Sequence, residues 1–168
     1  MQLWPLLPRV GSPVRHRPGA LGALTRLVAG GAGAALLGGA SAPSEEDVSV
    51  MVTGLRNGKG QVFACLTADP RAFPACKSDP AARQLVVPAG GDETVLDFGA
   101  VAPGTYAISL FHDENGNGKL DTVMMMPKEG FGFSRDAKVR FGPPKFAAAA
   151  FTVGGATAHQ TIRMRYMF

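Results

Sequence analysis

Cysteine is scarce in this sequence, acid is missing from its first part, and no apolar run is long; each scarcity excludes something. Two cysteines in 168 residues are too few to build a fold from disulfides. No aspartate or glutamate precedes Glu45, whereas Arg9, Arg15, Arg17 and Arg26 all do. The formal charge of +4 therefore belongs to the leader. From Pro43 onward thirteen basic residues face thirteen acidic ones, which implies no cationic face for nucleic acid. Charged residues are only 18% against 46% apolar, which is not the composition of a disordered chain. Glycine (22) and proline (13) are frequent, which argues against a bundle of long helices. No internal repeat is visible.

The first part reads as an address. Residues 1–26 are basic, residues 27–40 carry no charge, and Ala40-Ser41-Ala42 is a small-x-small triplet. That order is the order of a secretory signal, so residues 1–42 are expected to be removed and residues 43–168 to form one domain in the periplasm or outside the cell. The apolar run falls short of the roughly twenty residues a spanning helix needs, so no stable transmembrane anchor is expected. In an oxidising compartment Cys65 and Cys76 are expected to bridge, closing an irregular segment that contains Pro70 and Pro74. A Cys-x-x-Cys metal or redox pair is not supported by this spacing.

In the rest of the chain the hydrophobic period is two. Val48, Val50 and Val52 alternate with Ser49, Met51 and Thr53, and Asn57-Gly58 is a turn signal before Val62, Ala64 and Leu66. Residues 47–67 thus read as a β-hairpin. Residues 84–87 and 94–98 read as two short strands. After the Pro103-Gly104 turn, Tyr106, Ile108, Leu110 and His112 share one face of a strand whose other face is also fairly apolar, as in a central strand. Residues 147–153 and 157–167 flank Gly154-Gly155 as a second hairpin, with Ile162, Met164 and Tyr166 on one face. About seven short strands and no firm helix predict an all-β fold, an antiparallel two-sheet sandwich. Phe98, Tyr106, Phe111 and Phe151 are the expected aromatic core.

Most chemical information lies in His112-Asp113-Glu114-Asn115-Gly116-Asn117-Gly118-Lys119-Leu120-Asp121. Oxygen-bearing side chains recur at Asp113, Asn115, Asn117 and Asp121, with Gly118 at the turn: the first nine positions of a calcium-loop pattern. A chain that wraps a hard cation presents every second side chain inward. The Lys119 carbonyl would add an oxygen, and Leu120 is expected to pin the loop to the core. The twelfth position is Met124 instead of a carboxylate, so Glu129 is the nearest residue to close the site. Glu114 is expected to face solvent. The expected cofactor is Ca²⁺, held weakly, with Kd on the order of 10⁻⁴–10⁻³ M as in extracellular modules. A metal-free polar turn is the alternative.

This loop, together with Pro127-Lys128-Glu129-Gly130-Phe131-Gly132-Phe133-Ser134, Gly142-Pro143-Pro144 and Ala149-Ala150-Phe151-Thr152-Val153, closely resembles a family of exported bacterial proteins, domain of unknown function 2141. The resemblance covers residues 46–166. It implies a small β-sandwich similar to the transthyretin-like (prealbumin-like) and carboxypeptidase-regulatory-like modules, and Val101-Ala102-Pro103-Gly104-Thr105-Tyr106 looks like their turn-and-strand element. It implies no activity. Met124, Met125 and Met126 depart from the aromatic or aliphatic residues more usual there.

The expected function is therefore a non-enzymatic exported module that binds an envelope or extracellular ligand or gives structural support. A hydrolase or isomerase using His112 with Asp113 or Glu129 is the alternative, although no serine stands in a nucleophile-elbow motif. An envelope metal carrier is a third reading, with His112 and the methionines as Cu(I) donors. Consecutive residues of a strand point to opposite faces, so packing is the expected role of the three methionines. Gly142-Pro143-Pro144 reads as a rigid turn on which a partner could dock.

Overall fold

The computed structural model describes residues 44–91 and 93–168. The expected signal segment and its expected cleavage position lie outside the described residues. Ten strands follow in order: β1 (Glu46–Thr53), β2 (Gln61–Thr67), β3 (Arg83–Pro88), β4 (Glu93–Val101), β5 (Gly104–Asp113), β6 (Thr122–Val123), β7 (Met126–Pro127), β8 (Gly130–Phe133), β9 (Phe151–Val153) and β10 (Ala158–Arg163). Among the described residues, short helical turns span Ser134–Asp136 and Phe146–Ala149. None of the helices among the described residues is long and apolar enough to cross a membrane.

The strands form a three-stranded sheet, β10-β1-β4, a five-stranded sheet, β3-β2-β5-β8 with β9 also on β5, and a small two-stranded sheet, β6-β7. The two larger sheets contribute to one core. Val48, Val50, Val52, Leu96, Phe98 and Ile162 come from the first sheet; Val62, Ala64, Leu66, Ile108, Leu110, Phe151 and Val153 come from the second. The period-two alternation places each set on a single face. The class is all-β, as the sequence predicts.

The pairing differs from the prediction. β1 and β2 do not form a hairpin; β1 pairs with β4 and, in parallel, with β10, while β2 pairs with β3 and β5. The connection through Asn57-Gly58 crosses from one sheet to the other. β9 and β10 also part, to β5 and β1. The reason is burial. A hairpin leaves its apolar face needing a second layer, and an arch that sends successive strands to opposite sheets supplies that layer itself. The β1–β10 pair makes the first sheet mixed instead of antiparallel.

β5 is the central strand, as expected. It pairs with β2 and gives successive stretches, Ser109–His112 and Gly104–Tyr106, to β8 and β9. Buried Ser134 bridges the break: its hydroxyl accepts the Ile108 N–H at 2.9 Å and donates to the Ala149 carbonyl at 2.5 Å. Phe98 and Phe151 are in the core. Phe111 is not; it stacks on its cross-strand neighbour Phe63 at 4.7 Å, on the face of β5 opposite Leu110 and His112.

Residues 68–82 join β2 to β3 as an irregular excursion held by the Cys65–Cys76 disulfide. Phe73 packs edge-on against Phe133 and Phe146, at 5.9 and 6.0 Å, in a second apolar cluster. The Ser109 hydroxyl donates to the Pro74 carbonyl at 2.6 Å, and the Thr67 hydroxyl donates to Asp79 at 2.5 Å. Asp79 accepts the Ala81 N–H at 2.8 Å, so it initiates a turn beside Pro80. A depression of about 320 Å³ lined by Ala68, Asp69, Asp79, Ala81 and Tyr106 opens here.

Candidate functional site

The 113–121 loop leaves β5 at Asp113, and its first act is to cap itself. Asp113 is fully buried, and a carboxylate taken from water must find donors. Its Oδ1 accepts the N–H groups of Gly116 and Asn117 at 2.8 and 3.1 Å, and its Oδ2 accepts that of Gly118 at 2.6 Å. Gly118 has φ 73°, a left-handed conformation that costs glycine little. The opposite wall is Gly60, where a Cβ would run into the Asp113 carbonyl. The close approach of the two connections therefore needs glycine.

The asparagines repeat the local motif. Asn115 Oδ1 accepts the Asn117 N–H at 3.0 Å, and Asn117 Oδ1 accepts the Lys119 N–H at 2.9 Å. These are Asx turns, available because the short amide reaches two residues on. Both amide nitrogens then converge on Asp121, at 2.7 and 3.0 Å. Glu129, buried just ahead of β8, closes the ring by accepting the Glu114 N–H at 3.1 Å and the Asp121 N–H at 3.0 Å. Asp113, Asn115, Asn117, Asp121 and Glu129 are thus brought together, and the Lys119 main chain joins through its N–H.

Three expectations for this segment are corrected. Leu120 is 37% exposed instead of pinned to the core; Asp113 and Glu129 anchor the loop in its place. Glu114 does not face solvent freely: it pairs with Arg56 and accepts the Asn57 amide at 2.5 Å. The Arg56 hydrogen bond holds the Glu114 carboxyl below the ordinary range, against an opposing effect of burial, with Asn57 assisting. Met124, Met125 and Met126 do not pack in the core: Met126 opens β7 but is exposed. Met124 and Met125, at φ 51° and 65°, form the turn of the β6–β7 hairpin and are 87% and 96% exposed.

His112 is fully buried beneath the loop. Its Nε2 lies 2.7 Å from the Lys59 carbonyl, which can only accept, so Nε2 carries the proton. Nδ1 then accepts the Tyr166 hydroxyl at 2.8 Å. Both nitrogens are engaged, by Lys59 and Tyr166 and by neither Asp113 nor Glu129, so His112 braces the loop against the end of the chain. Its burial also separates it from the exposed methionines, so the soft-metal grouping is not assembled. Tyr166 in turn accepts the Arg56 N–H at 3.2 Å and lies under the Arg56 guanidinium, 4.5 Å from the ring centre. Burial pushes the Tyr166 hydroxyl pKa up. Arg56 also reaches the Phe168 carbonyl at 2.8 Å. Arg56, Lys59 and Tyr166 are the participants that sequence reasoning missed. Tyr166 was legible as a core-facing residue, but nothing local signals a partner 54 positions away.

The family model described as an uncharacterized protein conserved in bacteria, DUF2141, matches residues 50–161. The chain belongs to this family. The match includes the whole 113–129 site and both cysteines. No curated protein and no solved structure was found to match the chain.

The donor chemistry suits a hard cation. A carboxylate has about four acceptor positions and an amide oxygen about two. The hydrogen bonds use three at Asp113, two each at Asp121 and Glu129, and one at each asparagine oxygen. Every side chain of the set therefore retains a free lone pair, and all the donors are oxygen. Among the described residues, no group of three or more His, Cys, Asp or Glu is placed to hold a metal ion. Amide and main-chain oxygens would have to share the coordination.

Proposed function

We propose that this DUF2141 protein is an exported, non-enzymatic module in which Ca²⁺ stabilises the 113–121 loop, and that it binds a ligand or gives structural support at the cell envelope. Its two sheets over one core are taken as a transthyretin-like sandwich. What supports the calcium reading is the run of hydrogen bonds that links four oxygen-bearing side chains, Asp113, Asn115, Asn117 and Asp121, along one nine-residue turn, with Glu129 closing it and each side chain keeping acceptor capacity to spare. An ion would take the place of the asparagine N–H groups beside Asp121, and the amide oxygens, Asp113, Asp121, Glu129 and the Lys119 carbonyl are the residues that would hold it. Bound there, Ca²⁺ would supply positive charge to a cluster of carboxylates that now depends on N–H donors alone. The Cys65–Cys76 bridge is compatible with an oxidising compartment.

Calorimetric titration and thermal melting of the full chain test the assignment. Heat and a rise in Tm are expected at millimolar Ca²⁺, and Asp121→Ala is expected to abolish both while changing the metal-free Tm little. Absence of heat and of any Tm rise would leave a metal-free turn.

A further inference from the structure

Charge is divided unevenly along the folded part. Residues 44–136 hold eight basic and thirteen acidic residues, whereas residues 137–168 hold five basic residues and no acid. Lys138, Arg140 and Lys145 of that basic stretch lie within one loop, and all three are exposed. No carboxylate pairs with them among the described residues. Nearby Asp136 is matched to Arg165. At the middle of the loop stands Phe141, completely exposed at 107%.

The loop is built to hold that ring out. Val139 and Phe146 fasten its two sides to the second apolar cluster, Phe146 against Phe73. Between them, Gly142 takes φ 111° and Pro143-Pro144 stiffen the return. A phenylalanine fully in water, when Val139 and Phe146 on either side are partly buried, is a standing cost that a partner can remove. A stiff loop loses little freedom when bound. An exposed aromatic on the same loop as three unpaired cations matches a surface that is apolar beneath and anionic above. A soluble polyanion would satisfy the cations and leave the ring in water.

We propose that the 138–145 loop docks the protein on an anionic phospholipid surface, with Phe141 entering the acyl boundary and Lys138, Arg140 and Lys145 contacting headgroup phosphates. The site is separate from the 113–129 loop and does not depend on calcium there.

Co-sedimentation of the full chain with vesicles tests it. Vesicles of equal parts phosphatidylglycerol and phosphatidylcholine are compared with phosphatidylcholine alone. Binding is expected to the anionic vesicles only and to weaken with salt. At about fivefold per cation, the triple variant Lys138→Gln/Arg140→Gln/Lys145→Gln is expected to lose about 100-fold, and Phe141→Ser about tenfold. The N-terminal segment is common to all variants, so only the differences between them are read. A Phe141→Trp variant, corrected for the parent's Trp4, is expected to show a blue shift with anionic vesicles. Variants that bind as the parent does, or no binding by any form, would overturn the proposal. Dextran sulfate bound as tightly as vesicles, with Phe141→Ser indifferent, would overturn it in favour of a polyanion.

Discussion

Two irregular segments flank the central strand β5, and they are immobilised by different physics. Residues 68–82 are held by a covalent bridge, an aromatic wedge at Phe73 and a hydroxyl on the Pro74 carbonyl. Residues 113–121 have no apolar anchor; even Leu120 is exposed. Their backbone N–H groups are gathered by two buried carboxylates, Asp113 and Glu129. The bridge acts largely by restricting the unfolded chain. The carboxylates act only in the folded chain, because their cost of burial is offset only where the donors are in place. A segment with few apolar residues can thus be ordered either by limiting its alternatives or by satisfying its polar groups, and the two devices respond to different insults.

The largest effect is expected from taking away one carboxylate. Asp113→Ala leaves the Gly116 and Gly118 N–H groups without an acceptor and the Asn117 N–H with Asn115 Oδ1 alone. At about 1–3 kcal/mol for each of the two unsatisfied donors, partly relieved by water, the loss is about 2–5 kcal/mol, read from urea unfolding. Asp113→Asn, which keeps one acceptor oxygen, should lose less; equal losses would mean that the charge matters more than the hydrogen bonds. Cys65→Ala/Cys76→Ala frees a segment whose ends are 11 residues apart and should cost about 3 kcal/mol on chain-entropy grounds. Reductant should reproduce that loss in the parent and do nothing further to the variant. The double variant should keep the 113–121 loop protected from hydrogen exchange, whereas Asp113→Ala should expose it.

A smaller loss, about 1–2 kcal/mol, is expected for Tyr166→Phe, which strips the partner from His112 Nδ1 and the acceptor from the Arg56 N–H. The smallest effect is a pH response. Glu114 is held below the ordinary carboxylate range in the folded state, chiefly by Arg56. Its contribution is therefore fully present above the unfolded carboxylate pKa and is lost as pH falls through the depressed folded value. The acid limb of a Tm-against-pH curve should flatten in Glu114→Gln, and salt should weaken this contribution in the parent because the pair lies near the surface. An unchanged acid limb would remove Glu114 from the account.

How much of this was legible differs from element to element. The core faces of β1 and β10 were readable in Val48, Val50, Val52, Ile162 and Met164, because alternation is a local property of an extended chain. The bridge was readable from two cysteines and an expected compartment. The turn at 113–121 was readable because Asx turns act over two to five residues. The two predicted hairpins failed at the next level. Val62, Ala64 and Leu66 face the core equally well whether β2 folds back on β1 or crosses to the other sheet, so the alternation cannot distinguish the two. The three methionines failed for a related reason. An apolar run suggests burial, but Met124 and Met125 sit at positive φ on a two-residue turn with no layer above them.

By itself the sequence determined which side chains alternate, where the chain must turn, and that the acids and amides of one loop would lie close together. These properties rest on contacts a few residues apart, where chain geometry alone limits the outcome. Only the tertiary structure decided that β1 runs parallel to β10, that His112 is braced by Lys59 and Tyr166, and that Glu114 turns to Arg56. Those choices join residues 53 to 110 positions apart. They were set by competition among many locally acceptable pairings for the one arrangement that buries both sheets' apolar faces and leaves every buried carboxylate of the loop with a donor.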